Sequence, residues 1–201
     1  SVTLITVNIA KLYSSVGEAF RHAFFQVTSV MSTAGFSTTN SNEWPAFSKM
    51  ILLVLMLIGG CAGSTAGGFK ISRLLILIKS IRKEFQSFIH PQEHRSLYMD
   101  KTVLSDETLR SVNAFAALYF VLLFASVLLV GTDDFDFMTI FSAVSTSMNC
   151  VGIAFGEVGY GGNFDIFSNF SKIVLMIDML AGRLEFFPLL VLFSPKCWKK
   201  Y

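Results

Sequence analysis

AFFQVTSVMSTAGFST (residues 23–38) and IFSAVSTSMNCVGIAF (residues 140–155) are two copies of one pattern. They align without a gap at an offset of 117, so that Phe24 meets Phe141, Val27 meets Val144 and Gly35 meets Gly152. The helices that follow also match, LVLMLIGG (53–60) with MIDMLAGR (176–183), at an offset of 123, so the second copy carries six extra residues after its glycine segment. The chain is a two-copy repeat.

In each copy a short amphipathic stretch, 17–31 or 135–148, is too polar and too short to cross a bilayer. It turns at a glycine and precedes a spanning helix. Irregular backbone at membrane depth is tolerated only where it is buried in protein or lines a watery path, since each unpaired carbonyl in lipid costs several kcal/mol. A half-helix, an extended glycine segment and a spanning helix make a pore loop. Gly35 and Gly152 allow main-chain oxygens to face a central axis and replace the hydration shell of a dehydrated cation. A glycine after one amphipathic stretch would ordinarily be a turn or helix cap; its repetition in a membrane chain reverses that.

Working outward, the apolar residues (53%) lie in long blocks and the charged ones (15%) collect between them, the pattern of a chain solvated by lipid. Residues 112–130 are uncharged and of spanning length. Residues 50–58 are equally apolar but run into GGCAGSTAGG (59–68) before apolarity resumes at 69–78, which reads as a broken helix. Residues 173–193 are long enough to span yet carry Asp178, Arg183 and Glu185, and residues 2–10 are too short to cross alone. Lys79, Arg82, Lys83, Arg95, Lys101 and Arg110 lie in one connector and Lys196, Lys199 and Lys200 in the C-terminal tail, which predicts a cytoplasmic linker and C-terminus. Asp133, Asp134 and Asp136 crowd the opposite connector, where they start a helix and sit at an acidic outer mouth. The expected units are a repeat over 1–83, a linker over 84–107 and a second repeat over 108–201. The expectation is a multi-pass all-α membrane protein of tandem helix–pore-loop–helix repeats.

Other motifs carry less. Cys61, Cys150 and Cys197 lack the spacing of a zinc site or disulfide framework and read as packing residues. HPQEH (90–94) matches a metalloprotease pattern, but Pro91 and its polar setting argue against it. The 59–68 run misses a phosphate-binding loop because Phe69 separates Gly68 from Lys70 and no strand precedes it. Small-residue helix packing is its plainer role. The basic residues form no nucleic-acid footprint, and no catalytic group or covalent cofactor is expected.

STAGFST (32–38) after RHAFFQVTSV, GGCAGSTAGGFKISR (59–73), NCVGIAFGEVG (149–159) and LAGRLEFFPLLVLFSP (180–195), in that order, closely resemble the membrane subunit of the Trk/Ktr/HKT potassium transporters. The resemblance covers nearly the whole chain and places it as the C-terminal half of a Trk-type subunit, the third and fourth of four repeats, with the N-terminal half of the pore absent from this sequence. It implies K⁺ uptake across the cytoplasmic membrane through a filter at Thr33, Ala34, Gly35 and Phe36 and at Cys150, Val151, Gly152 and Ile153, with K⁺ on the carbonyls of Gly35 and Gly152. It implies a gate at Gly59, Gly60, Gly63, Ser64, Thr65, Gly67, Gly68 and Lys70, with Arg183 as a pore arginine beneath the filter; an ion pair of Arg183 with Glu185 or Asp178 is the structural alternative. It further implies a homodimer and a cytosolic ring that senses nucleotide on the pore's behalf. Two departures stand out: the fourth filter of the family usually has Asn where Cys150 stands, and Pro and Gly where Ile153 and Ala154 stand. A Na⁺ or weakly selective pathway and a non-conducting regulatory subunit are the alternatives; the family feature that favours Na⁺ is a serine at a filter glycine, absent here.

Overall fold

The computed structural model describes residues 1–61, 63–64, 66–89, 98–99 and 102–184. The first repeat contains α1 (Val2–Ile9), α2 (Val16–Met31), α3 (Ala46–Ile58) and α4 (Ile71–Ile89). A two-residue antiparallel pair, β1 (Tyr98–Met99) and β2 (Thr102–Val103), follows. The second repeat contains α5 (Asp106–Val130), α6 (Phe137–Asn149) and α7 (Asn169–Leu184). α2 and α6 are the half-helices expected from the repeat. Among the described residues one stretch, Asp106–Asp133, is long and apolar enough to cross a membrane unaided.

Each half-helix begins at a side-chain cap. Ser15 Oγ accepts the Glu18 N–H at 3.2 Å, and an Asp136 carboxylate oxygen accepts the Met138 N–H at 3.1 Å. Both satisfy amides that the first helical turn leaves without partners. α5 opens in the same way, with Ser105 at its cap and Asp106 and Glu107 in its first turn, where negative charge suits the helix dipole.

The break between α3 and α4 has a specific form. Phe69, Lys70 and Ile71 donate their N–H groups to the carbonyls of Leu57, Ile58 and Gly60, at 3.4, 2.9 and 3.1 Å. In an unbroken helix those carbonyls would be served by residues 61, 62 and 64. The 59–70 segment is therefore an excursion that adds about eight residues to one helical path, with its ends tied together at the helix's own hydrogen-bond ladder. Gly59 supports the tight neck: at φ 71°, it lies so close to Gly67 that a Cβ would sit 2.7 Å from the Gly67 carbonyl oxygen.

α4 also runs further than the apolar block suggests, through Ile89 and past the linker boundary drawn after residue 83. Charges lower the hydropathy there, but Ile81, Phe85, Phe88 and Ile89 keep helical spacing. One core cluster joins α1, α2 and α3 and includes Val151, Ile153 and Phe155 from the second repeat. A second lies among α5, α6 and α7, and a third brings Phe69 of the excursion against Phe115, Tyr119 and Leu123 of α5. The repeats are thus packed into each other.

Candidate ion-binding loops

The C-termini of α2 and α6 end in one hydrogen-bond pattern. Thr33 N–H reaches the Val30 carbonyl at 3.1 Å and Ala34 N–H the Ser29 carbonyl at 2.9 Å; Cys150 N–H reaches Ser147 at 3.2 Å and Val151 N–H reaches Thr146 at 3.0 Å. Shifted by 117, these are the same four positions. The dihedrals repeat as well: φ is positive at Thr33 (55°) and Gly35 (76°), and at Cys150 (54°) and Gly152 (90°). Alternating handedness turns successive carbonyls to one side of the strand, which regular extended chain does not do. No hydrogen bond from the described residues ends on the carbonyls of Thr33, Ala34, Gly35, Cys150, Val151, Gly152 or Ile153.

The two glycines are neighbours. A Cβ on Gly35 would lie 2.2 Å from the Val151 carbonyl oxygen and 3.4 Å from Gly152 Cα, while one on Gly152 would meet Gly35 Cα at 3.6 Å. Phe36 takes a different part, since its carbonyl accepts the Ser29 hydroxyl at 2.7 Å and its side chain is exposed. Ile153 is buried in the first repeat's core.

Side chains that the sequence did not single out hold these loops. Ser29 and Thr146 occupy aligned positions, and both bond the loop that follows: Ser29 to Phe36, Thr146 Oγ1 accepting the Gly152 N–H at 2.9 Å. Paired hydroxyls at one repeat position were a usable signal. Buried Gln26 donates to Ser37 Oγ at 2.5 Å, and Ser142 Oγ accepts the Phe155 N–H at 2.9 Å. Asn42 of the first repeat clamps Gly156 of the second, accepting its N–H and donating to its carbonyl, both at 2.9 Å. That contact spans 114 positions of chain and has no local sequence signature.

Beneath the loops lies the 59–70 excursion. Cβ atoms on Gly67 and Gly68 would fall 2.5 Å from the Asn149 carbonyl oxygen and 2.8 Å from its Oδ1, and one on Gly60 would fall 3.7 Å from the Met31 carbonyl oxygen. The excursion touches the last turn of both half-helices. Asn149 is fully buried; its Nδ2 donates to the Ser145 carbonyl at 2.7 Å and its Oδ1 accepts the Tyr119 hydroxyl at 2.8 Å. Gly63 (φ 78°), Gly68 (φ 92°) and Lys70 (φ 71°) are all left-handed. Ser64 bonds back to the Cys61 carbonyl, while Thr65 lies outside the described residues.

A correction falls on Cys61 and on the Asp178 half of the ion-pair alternative. Cys61, expected as packing, is exposed on the excursion. Cys150 is half-buried, with its thiol 3.6 Å from the Met179 carbonyl of α7; Cys197 lies outside the described residues, as do His90 and His94. Asp178 bonds Ser126 and not Arg183, which is exposed in the last turn of α7, while Glu185 lies outside the described residues. Gly182, just before Arg183, fits so tightly that a Cβ would overlap the Met148 carbonyl oxygen of α6 at 1.7 Å.

Half-helix, left-handed glycine loop and following helix, twice over and interlocked, define the pore-loop class of membrane protein. The family described as TrkH, cation transport protein, matches residues 6–200. The Trk system potassium uptake protein TrkH of Escherichia coli K12 is 38% identical over 192 residues, 94% of this chain and 39% of that protein. Escherichia coli TrkG, named likewise as a Trk system potassium uptake protein, is 33% identical over 181 residues, 90% of this chain and 37% of its own length. The crystal structure of the potassium transporter TrkH from Vibrio parahaemolyticus superposes with a TM-score of 0.85 at 34% identity, covering 98% of this chain and 42% of that one. The chain belongs to the TrkH family. It spans about two fifths of the length of these relatives.

Proposed function

We propose that this chain supplies two of the four filter segments of a K⁺ uptake pore in the cytoplasmic membrane. The carrying observation is the adjacency of Gly35 and Gly152, each within a loop of alternating handedness whose carbonyls accept no bond from the described residues. Carbonyls at Thr33, Ala34 and Gly35 and at Cys150, Val151, Gly152 and Ile153 would replace water around K⁺, with the main chain held by its N–H bonds to the half-helices. Phe36 closes the loop, its carbonyl being engaged by the Ser29 hydroxyl.

The 59–70 excursion would act as the gate. It presses on the two half-helix C-termini, and a pore-side Arg183 would oppose cations until the excursion moves. Its left-handed glycines suit a segment that must change shape. The remaining filter segments would come from an N-terminal half, and the faces of Phe24 and Phe36, both exposed, are where it would pack. A homodimer, a cytosolic nucleotide-binding ring and a cytoplasmic C-terminus complete the proposal. K⁺ is the proposed ion in preference to Na⁺, since the serine that in the resembled family favours Na⁺ stands at neither Gly35 nor Gly152.

Rb⁺ uptake into proteoliposomes carrying the full-length gene product tests this, with Na⁺ as competitor. Uptake that Na⁺ does not suppress, lost in Gly35→Asp with membrane insertion intact, is expected. Uptake by correctly inserted Gly35→Asp at the normal rate would remove the filter assignment, and absence of flux from the folded, lipid-inserted wild type would favour a regulatory subunit.

A further inference from the structure

Asp178 lies on α7 and is 5% exposed. Its Oδ1 accepts the Ser126 hydroxyl of α5 at 2.7 Å, whereas its Oδ2 is buried with no hydrogen-bond partner. Ser126 is itself 5% exposed, and the neighbouring helix positions are apolar: Val174, Leu175 and Ala181 on α7, Leu123 and Val130 on α5. Among the described residues no ion pair is formed by this carboxylate. α5 has no charged residue between Arg110 and Asp133, and α6 has none along its length. Tyr119 of α5 is committed to Asn149, and Cys150 at the end of α6 faces Met179. On α7 itself, Lys172 is bonded to Asp165 at 2.6 Å and Arg183 is exposed.

Among the described residues, an ionised carboxylate in such a place has one hydroxyl donor and no paired counter-charge. Intramembrane acids without a partner are therefore held neutral or bind a cation. A metal ion needs several oxygen ligands, and among the described residues Ser126 is the one side chain bonded to Asp178. A proton needs a single lone pair, and Oδ2 has one to offer.

We propose that Asp178 is a proton-binding site inside the second repeat, occupied when α7 is seated against α5. Loss of the proton to water leaves a buried anion and loosens that seat. The consequence reaches the loops, because the next residue, Met179, supplies the carbonyl facing the Cys150 thiol, and Gly182 is keyed against the Met148 carbonyl. Alkaline pH is thus expected to lower conduction.

Infrared difference spectroscopy of the full-length protein in lipid, titrated from acid to alkaline pH, reads the site without requiring ion flux, so a failure of the pore assignment leaves it intact. The expected result is the carbonyl stretch of a buried carboxylic acid that disappears with a one-proton titration and is absent in Asp178→Asn. Ser126→Ala removes the hydroxyl that favours the anion and is expected to move the titration to higher pH. Rb⁺ uptake falls over the same range in the wild type and becomes independent of pH in Asp178→Asn. Carboxylate bands alone at every pH, which a bound cation would give, overturn the proposal; so does an acid band that survives Asp178→Asn or a titration unmoved by Ser126→Ala.

Discussion

Phe36 is 72% exposed and its repeat counterpart Ile153 is 8% exposed; Ser32 is open, and its counterpart Asn149 is fully buried. Phe24 is 52% exposed, while Phe141 packs against the first repeat's core cluster and against the cluster that seats Phe69 on α5. Yet the two loops share dihedral signs and hydrogen-bond pattern residue for residue. The difference teaches that the loop backbone is set locally, by the end of a half-helix and a left-handed glycine, and that burial is set by the neighbour. The second loop has the first repeat beside it. The first presents the equivalent face outward, and that is the face on which a preceding repeat is proposed to sit.

The comparison is broken most sharply at the glycines themselves. Gly35→Ala would place a methyl 2.2 Å from the Val151 carbonyl oxygen, a backbone atom that cannot yield without moving the second loop. Gly152→Ala meets nothing nearer than 3.6 Å and incurs only the left-handed conformation, about 1–2 kcal/mol. Rb⁺ flux is expected to vanish in the first variant and to be reduced in the second; equal effects would show that the loops do not touch as described.

Next comes the contrast between the two following helices. α3 and α4 are separated by the excursion, whereas α7 passes Met148 without a break. Deleting residues 61–68 should let the helix close on its own ladder and raise Rb⁺ leak; an unchanged leak would deprive the excursion of its gating role. Gly67→Ala, aimed at the Asn149 carbonyl oxygen, should raise leak to a lesser degree.

A smaller effect is expected at Tyr119→Phe, which strands Asn149 Oδ1 in a buried site. The cost is about 1–3 kcal/mol, read as a lower unfolding temperature in detergent. Ser32, the counterpart of Asn149, has no such dependence on α5, so Ser32→Ala should leave the melt unchanged.

The smallest effect belongs to the carboxyls that flank the start of α7. The Lys172 side chain, bonded to Asp165, holds that carboxyl below its ordinary range. At Asp133 burial works against the charge, but the Ser168 N–H and the hydroxyls of Ser171 and Ser168 outweigh it and hold the carboxyl low. Carboxyls depressed in the fold contribute stability above the unfolded carboxylate range and lose it as pH falls through their folded values. Acid should therefore lower the unfolding temperature slightly, and Asp133→Asn should blunt that response.

Much of this is legible in the amino-acid sequence. The glycine pair, both half-helices and the break at residue 59 all follow from repetition and apolar length, properties that a linear pattern carries. The form of the break was not legible, because Lys70 returning to Ile58 is a hydrogen-bond substitution that composition does not record. Nor was the Asn42 clamp on Gly156, where two polar residues in unrelated loops meet only after the repeats interlock. The length of α4 was hidden by Arg82, Lys83 and Glu84, whose charges mask an apolar stripe. Cys61 misled because its neighbours are small and apolar, which describes a tight loop as well as a packed core.

The most direct test is anomalous diffraction from crystals of the full-length protein soaked in Tl⁺, a heavy stand-in for K⁺. A peak is expected within coordination distance of the carbonyls of Gly35 and Gly152 together, weakened by excess K⁺. A Tl⁺ peak elsewhere in the protein, with none shared by these two glycines, would contradict it.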